Sequence, residues 1–373
     1  MKTPSSLSAL RTFFDTLDWR RLQAEVAGEA QSRLVIAGPV NTGKSTLFNL
    51  LKGQVLSPVS AVPGTTQTVV VEQFGPFTLV DTPGFGEAGD EQRATAESDV
   101  PGQSHAAVAM AEIKQAKMVL LLLDAGAGVR QSDLQLYHEL RSKDLPVMVV
   151  LNKVDLVRRD LRAVLSDLAF RLQGVQAIPI SAKTGAGVAD KLIPALIQAD
   201  SSLAVVIGRA LPGYRAEAAR RVIHNTAMWS LLLGAEPIPG LDLPLLLVMQ
   251  ARMVLRLGAI YGVNISGQYA RELVTAMAGA LVARYIGEEL AKLLPGPGWF
   301  ISAAVAGAAT LTMGRLAESY FQSGGQVAPS QLGEWVRTAL AARTGRTGKS
   351  IELKSPPAPP PGGSEPDSGP ETR

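Results

Sequence analysis

The run Gly38-Pro39-Val40-Asn41-Thr42-Gly43-Lys44-Ser45 has the residue types and spacing needed to hold a chain of phosphates. Gly38 and Gly43 let the backbone curl until successive N–H groups face inward, and the positive end of a following helix adds to the attraction. Lys44 supplies a point charge to the outer phosphates, Ser45 offers a hydroxyl to magnesium, and Thr46 completes the phosphate-contacting set. The run follows an apolar, strand-like segment and opens a helix-like one, which is the setting such a loop requires. Taken alone it could still be a glycine-rich turn before an ordinary helix.

Four more short motifs follow: Pro63-Gly64-Thr65-Thr66, Asp81-Thr82-Pro83-Gly84, Asn152-Lys153-Val154-Asp155 and Ser181-Ala182-Lys183. Three of them adjoin segments that read as buried strands, at 77–81, 146–152 and 176–180. Five motifs in this order point to nucleotide binding. Together they resemble the Era-like family of GTPases over residues 33–200, the branch with a Gly-x-x-Asn-x-Gly-Lys-Ser loop and a Pro-Gly-Thr-Thr switch. The resemblance implies an α/β domain built on a mostly parallel six-stranded sheet flanked by helices. It also implies GTP and GDP as ligands, magnesium as cofactor, and slow hydrolysis of GTP to GDP and phosphate.

Roles carry over residue by residue. The Asp155 carboxylate can accept two hydrogen bonds from guanine that adenine cannot offer, a discrimination of roughly 10⁴-fold or more. Asn152 and Lys153 would brace the base and the loop, while Ser181 and Lys183 flank Ala182, whose backbone would approach the guanine carbonyl oxygen. Asp81 would hold magnesium through water, with Ser45 and Thr66 as its other protein ligands. Gly84 would meet the terminal phosphate, so that Lys44, Thr66, Gly84 and Asn41 form the expected catalytic set. Loss of that phosphate would release both switch segments.

Phe85 stands where some GTPases carry a water-orienting glutamine, and it cannot polarise water. Family members with this replacement often use potassium in the role of an arginine finger, held partly by the residue matching Asn41. Otherwise Asn41 hydrogen-bonds within its own loop. Glu87, Asp90 and Glu91 read as a solvated charged loop or as a source of a water-orienting carboxylate. Gln67 and Thr68 replace the Arg-Asp pair usual in the family, which departs from the expected switch geometry.

Something other than a standard nucleotide domain is attached. The 373 residues suffice for two domains with real cores, and 46% hydrophobic against 18% charged residues is toward the apolar end for a soluble protein. The absence of cysteine excludes disulfides, thiolate metal sites and cysteine nucleophiles, and three histidines leave little for zinc. Residues 33–200 carry 16 basic and 17 acidic side chains, whereas 201–345 carry 12 and 8. That basic excess is scattered and lacks interleaved aromatics, so nucleic acid is not an expected partner. The first nine residues lack a signal-peptide pattern, which makes an intracellular location the expectation.

Residues 1–32 read as an N-terminal segment with an amphipathic helix at 7–31, expected to pack on the rest of the chain. Residues 346–373 are rich in Pro, Gly, Ser and Glu and read as a disordered tail. Between them, 201–345 reads as an all-α domain with apolar helical runs at 245–261, 273–294 and 299–321. Arg252 and Arg256 share one face of the first run. The last two flank Pro295-Gly296-Pro297-Gly298 and predict a helical hairpin. Gly279, Ala280 and Ala283 on one arm, and Ala303, Ala304, Gly307 and Ala308 on the other, would let helices approach closely. The uncharged stretch 298–314 makes about 25 Å of helix against about 30 Å of hydrocarbon, marginal for crossing a bilayer.

Residues 238–320 resemble the domain of unknown function 697, found in YcjF-related membrane proteins and fused to Era-like GTPases. The matching pieces are Ile238-Pro239-Gly240-Leu241-Asp242, Gln250-Ala251-Arg252-Met253-Val254 and Ile260-Tyr261-Gly262-Val263. This resemblance implies a membrane-associated helical module, with lipid contact through residues 238–321 at the cytoplasmic, inner face of a membrane. Two other readings stay open: a soluble GTPase serving RNA or ribosome maturation, and a scaffold that dimerises with nucleotide.

Overall fold

The computed structural model describes residues 15–54, 71–80, 111–157, 161–234, 242–263, 269–277, 298–324, 334–335 and 338. Their elements in chain order are α1 (Trp19–Glu29), β1 (Leu34–Ala37), α2 (Lys44–Gln54), β2 (Val71–Phe74), β3 (Phe77–Val80) and β4 (Met118–Asp124). Then come α3 (Gln131–Ser142), β5 (Val147–Asn152), α4 (Leu161–Arg171), β6 (Ile178–Pro179), α5 (Ile193–Ala199) and α6 (Ser201–Ala210). Three long helices follow, α7 (Arg215–Gly234), α8 (Asp242–Tyr261) and α9 (Gly298–Gln322).

The strands form a six-stranded sheet in the order β2-β3-β1-β4-β5-β6, parallel except for the β2–β3 hairpin. The expected mostly parallel α/β sheet followed by helices is therefore present. Central strands buried on both faces need continuous apolar runs, and Leu34-Val35-Ile36-Ala37 and 118–123 supply them. Alternate residues then serve opposite faces. Val35, Val119, Leu121 and Val149 pack with Leu136, Leu140 and Leu168 from α3 and α4. Leu34, Ile36, Leu120 and Val150 pack with Leu47, Phe48 and Leu51 of α2 on the other side.

That second core does not end with the sheet. It continues without a break through α1, α5 and α6 into α7, α8 and α9, reaching Tyr320 and Phe321. The nucleotide-type domain and the helical module thus share one hydrophobic core. The helix expected at 7–31 is observed as α1, started by the Asp18 side chain accepting from the Arg21 N–H at 3.0 Å; residues 1–14 lie outside the described residues. Glu29 at its end meets α8: it accepts from Arg256 Nε and Nη2, each at 2.7 Å, and from Arg252 Nη2 at 2.6 Å. This explains the polar stripe of Arg252 and Arg256 on an otherwise apolar helix.

Of the expected hairpin, 269–277 and α9 are described, while the turn Pro295-Gly296-Pro297 and the small residues Gly279, Ala280 and Ala283 lie outside the described residues. The close approach made by α9 is to α7. A Cβ on Gly314 would stand 2.7 Å from Ile223 Cγ1, and one on Gly307 would stand 3.4 Å from Leu231 Cβ. Buried hydroxyls pin the three long helices in register: Gln250 Nε2 donates to Thr310 Oγ1, which donates to Ser230 Oγ, both at 3.0 Å.

Candidate nucleotide-binding site

The loop 38–43 joins the C-terminal end of β1 to the N-terminus of α2, where ligands of open α/β sheets gather. Its glycines are required by shape. Gly38 and Gly43 have φ of 147° and 92°, and a Cβ would fall 2.4 Å from the Leu122 carbonyl oxygen and 2.3 Å from Asn152 Nδ2. Asn41 takes the left-handed conformation at φ 65°, tolerable for asparagine. Lys44 is buried, and its ammonium donates to the carbonyls of Gly38 at 2.9 Å and Pro39 at 3.0 Å. Ser45 and Thr46 are exposed in the first turn of α2.

Asn152, buried at the end of β5, ties this loop to two others. Its Nδ2 donates to the Thr42 carbonyl at 2.7 Å, and its Oδ1 accepts from the Ala182 N–H at 2.8 Å. Lys153 follows at φ 64°, which turns its ammonium back to the Asn41 carbonyl and to Asp124 Oδ2 at 2.7 Å. The next turn exposes Asp155, while the Val154 N–H reaches the Ile180 carbonyl at 3.2 Å. Ser181 is buried and closes its loop through paired backbone hydrogen bonds with Gly185 and Ala186, each 2.8 Å; Lys183 is exposed.

The structure therefore brings Gly38, Asn41, Gly43, Lys44, Ser45 and Thr46 together with Asn152, Lys153, Asp155, Ser181, Ala182 and Lys183 at one end of the sheet. Thr66, Asp81 and Gly84 lie outside the described residues, as do Gln67, Thr68, Phe85, Glu87, Asp90 and Glu91. The Ala182 N–H is directed at Asn152 Oδ1.

Asp124 escaped the sequence reading, although a carboxylate closing an apolar strand before Ala-Gly-Ala-Gly was its signal. Its Oδ1 accepts from the Gly126 N–H at 2.8 Å and the Ala127 N–H at 3.3 Å. Burial pushes its pKa up, but the Lys153 ammonium and these backbone donors outweigh burial and hold the carboxyl below its ordinary range. A fixed anion here orients Lys153 across the phosphate loop.

Residues 33–153 match the family model described as 50S ribosome-binding GTPase, and residues 198–344 match the domain of unknown function 697. GTPase Der of Desulforudis audaxviator (strain MP104C) is 33% identical over 215 residues, 57% of this chain and 46% of that protein. The tRNA modification GTPase MnmE of Nitrosomonas eutropha (strain DSM 101675 / C91 / Nm57) is 37% identical over 161 residues, 42% of this chain and 32% of that protein. The chain spans less than half the length of these two relatives. Among solved structures, Era in complex with MgGDPNP and a 16S ribosomal RNA segment is 26% identical, covering 53% of this chain and 67% of that chain at a TM-score of 0.33.

Proposed function

We propose that this chain, a GTPase domain matching the 50S ribosome-binding GTPase model followed by a domain of unknown function 697, binds guanine nucleotides, hydrolyses GTP, and uses the difference between the two states to control a helical module that works at a membrane surface. The observation that carries the nucleotide reading is the Asn152 bridge, which holds the phosphate loop and the base-side loop in one frame. Lys44 neutralises the outer phosphates, the loop N–H groups hold them, and Asp155 reads the guanine edge.

Magnesium would be held by Ser45, exposed in the first turn of α2, with Thr66 and Asp81, which lie outside the described residues; hydroxyl and carboxylate oxygens are the hard donors it prefers. When bound, the ion neutralises charge between the outer phosphates. Gly84 and Thr66 sense the terminal phosphate. Asn41 is exposed at the loop crest and is the residue that would help to hold potassium; faster turnover in potassium than in sodium chloride, lost in Asn41→Ala, tests that role.

For the helical module, we read surface association rather than a span. Among the described residues one helix, Pro244–Tyr261, is long and apolar enough to cross a bilayer, with mean hydropathy 1.3. Half of it is buried within the protein, and Arg252 and Arg256 on it are paired to Glu29. Such a helix belongs to a core that cannot open to lipid without breaking those pairs. Flotation of the full chain with vesicles, with GDP and with a non-hydrolysable GTP analogue, tests the reading. Binding that changes with nucleotide supports it, and no flotation in either state refutes the membrane part.

A further inference from the structure

Two neighbouring helices carry matched stripes. On α7, Arg221, Asn225, Trp229 and Leu232 recur every three or four residues, so one face passes from a cation to apolar side chains over roughly 16 Å. On α8, Leu245, Met249, Arg252 and Arg256 recur in the same way but in the opposite chemical order. Arg221, Asn225, Trp229, Met249, Arg252 and Arg256 line one cavity of about 500 Å³, so the cationic ends of both stripes lie level. Beyond Trp229 and Met249 the stripes open to solvent: Met228, Trp229, Leu232 and Leu245 are 46% to 56% exposed.

Of the three arginines at this cavity, Arg252 and Arg256 are paired with Glu25 and Glu29, and Arg221 alone has no carboxylate among the described residues. Arg221 donates to the Gln198 carbonyl at 2.7 Å, and among the described residues it meets no carboxylate and leaves its buried Nε without a partner. Arg252 is matched by two carboxylates, Glu29 at 2.6 Å and Glu25 at 3.7 Å, and leaves only its buried Nε without a partner. Asp200 lies at the rim, but its carboxylate is engaged by the Ser202 N–H and hydroxyl, both at 2.6 Å, and by Lys117 at 3.4 Å. A guanidinium with no carboxylate partner suits a phosphate oxygen. Trp229 and the exposed aliphatic side chains beside it suit the zone between headgroup and acyl chain.

We propose that this α7–α8 stripe is a headgroup site for an anionic phospholipid, with the phosphate at Arg221 and the acyl region across Trp229, Met228, Leu232 and Leu245. The proposal rests on the membrane-surface reading above and gives it a location. It does not involve the nucleotide site.

The test is flotation of the full chain with phosphatidylcholine vesicles and with vesicles containing phosphatidylglycerol, for the wild type, Arg221→Glu and Trp229→Ser. Fluorescent GDP binding and the melting temperature of each variant serve as folding controls. The wild type should prefer the anionic vesicles. Arg221→Glu should weaken that binding by about five-fold for the lost charge and further for the charge introduced, and Trp229→Ser should weaken it as well. GDP affinity should be unchanged in both variants. If the wild type floats and both variants float equally well, the site is wrong while the membrane reading survives; if the wild type never floats, both fall. If millimolar glycerophosphate blocks vesicle binding completely and itself binds the Arg221-intact protein alone, the ligand is a soluble phosphate ester and the lipid assignment is overturned.

Discussion

Asn152 Nδ2 lies 2.7 Å from the carbonyl oxygen of Thr42, 110 residues earlier in the chain, and this hydrogen bond fixes where the phosphate loop sits relative to the base-recognition loop. Replacing Asn152 by Ala leaves the Thr42 carbonyl and the Ala182 N–H without their buried partner. Each orphaned group costs about 1–3 kcal/mol. The expected outcome is a lower melting temperature together with GDP affinity reduced by at least ten-fold, measured by fluorescent-nucleotide titration. Unchanged affinity would mean that the two loops are aligned by other contacts.

Gly43→Ala places a Cβ where Asn152 Nδ2 now stands, at a backbone φ of 92° that side chains resist. Nucleotide binding should be lost while the helical module keeps its helicity. Circular dichroism and GDP titration on the same sample check both parts.

Asp155→Asn should exchange guanine for xanthine. Two charge-assisted hydrogen bonds at about 1.5–3 kcal/mol each are removed, so GDP affinity should fall by on the order of 10²-fold or more while XDP binds better than GDP. Competition between the two nucleotides against a fluorescent analogue reads the preference directly. Preference for GDP surviving the change would remove Asp155 from base recognition.

Glu29 makes docking of α1 on α8 sensitive to acid. Burial raises its pKa, but hydrogen bonds and attraction from Arg256 and then Arg252 outweigh burial and hold it below the ordinary 4.5. A depressed folded value means that the stabilisation is fully present above about pH 4.5 and is lost as pH falls through the folded value. Glu29→Gln should cost about 2 kcal/mol at pH 7, and the gap to wild type should close on going well below pH 4.5. Urea denaturation of both proteins across that range is the measurement.

Gly314 and Gly307 on α9 should respond differently to the same substitution. A Cβ at Gly314 meets Ile223 at 2.7 Å, an overpacking that costs about 1–3 kcal/mol against up to about 1 kcal/mol of helix propensity gained. At Gly307 the nearest atom is 3.4 Å away, an ordinary contact, so the propensity gain prevails. Gly314→Ala should therefore melt lower than wild type, and Gly307→Ala at the same temperature or slightly higher.

The place of the phosphate and base loops was legible because such loops depend on local backbone shape and on a few side chains at strand ends. Both leave fixed spacings, and Gly38, Lys44, Asn152, Asp155 and Ala182 lie at one end of the sheet, while Thr66, Asp81 and Gly84 lie outside the described residues. Asp124 was missed because its role exists only once β4 and β5 lie side by side with Asp124 paired to Asn152. The Glu29 pairing was invisible for the same reason: it spans 227 residues, and the sequence shows only two arginines on an apolar helix.

The helical half separates the two levels most clearly. By itself the sequence marked the apolar helical runs at 245–261 and 299–321, found as α8 and α9, and the small residue Gly307 on the second, but not α7; periodicity and composition are properties of single elements. Only the tertiary structure decided which helix meets which: α9 packs its glycines on α7, the core runs unbroken from the sheet into the helices, and the arginine and apolar ends of α7 and α8 come level around one cavity. Partner choice among apolar helices depends on shape complementarity across the chain, and a linear pattern of hydrophobic residues does not encode it locally.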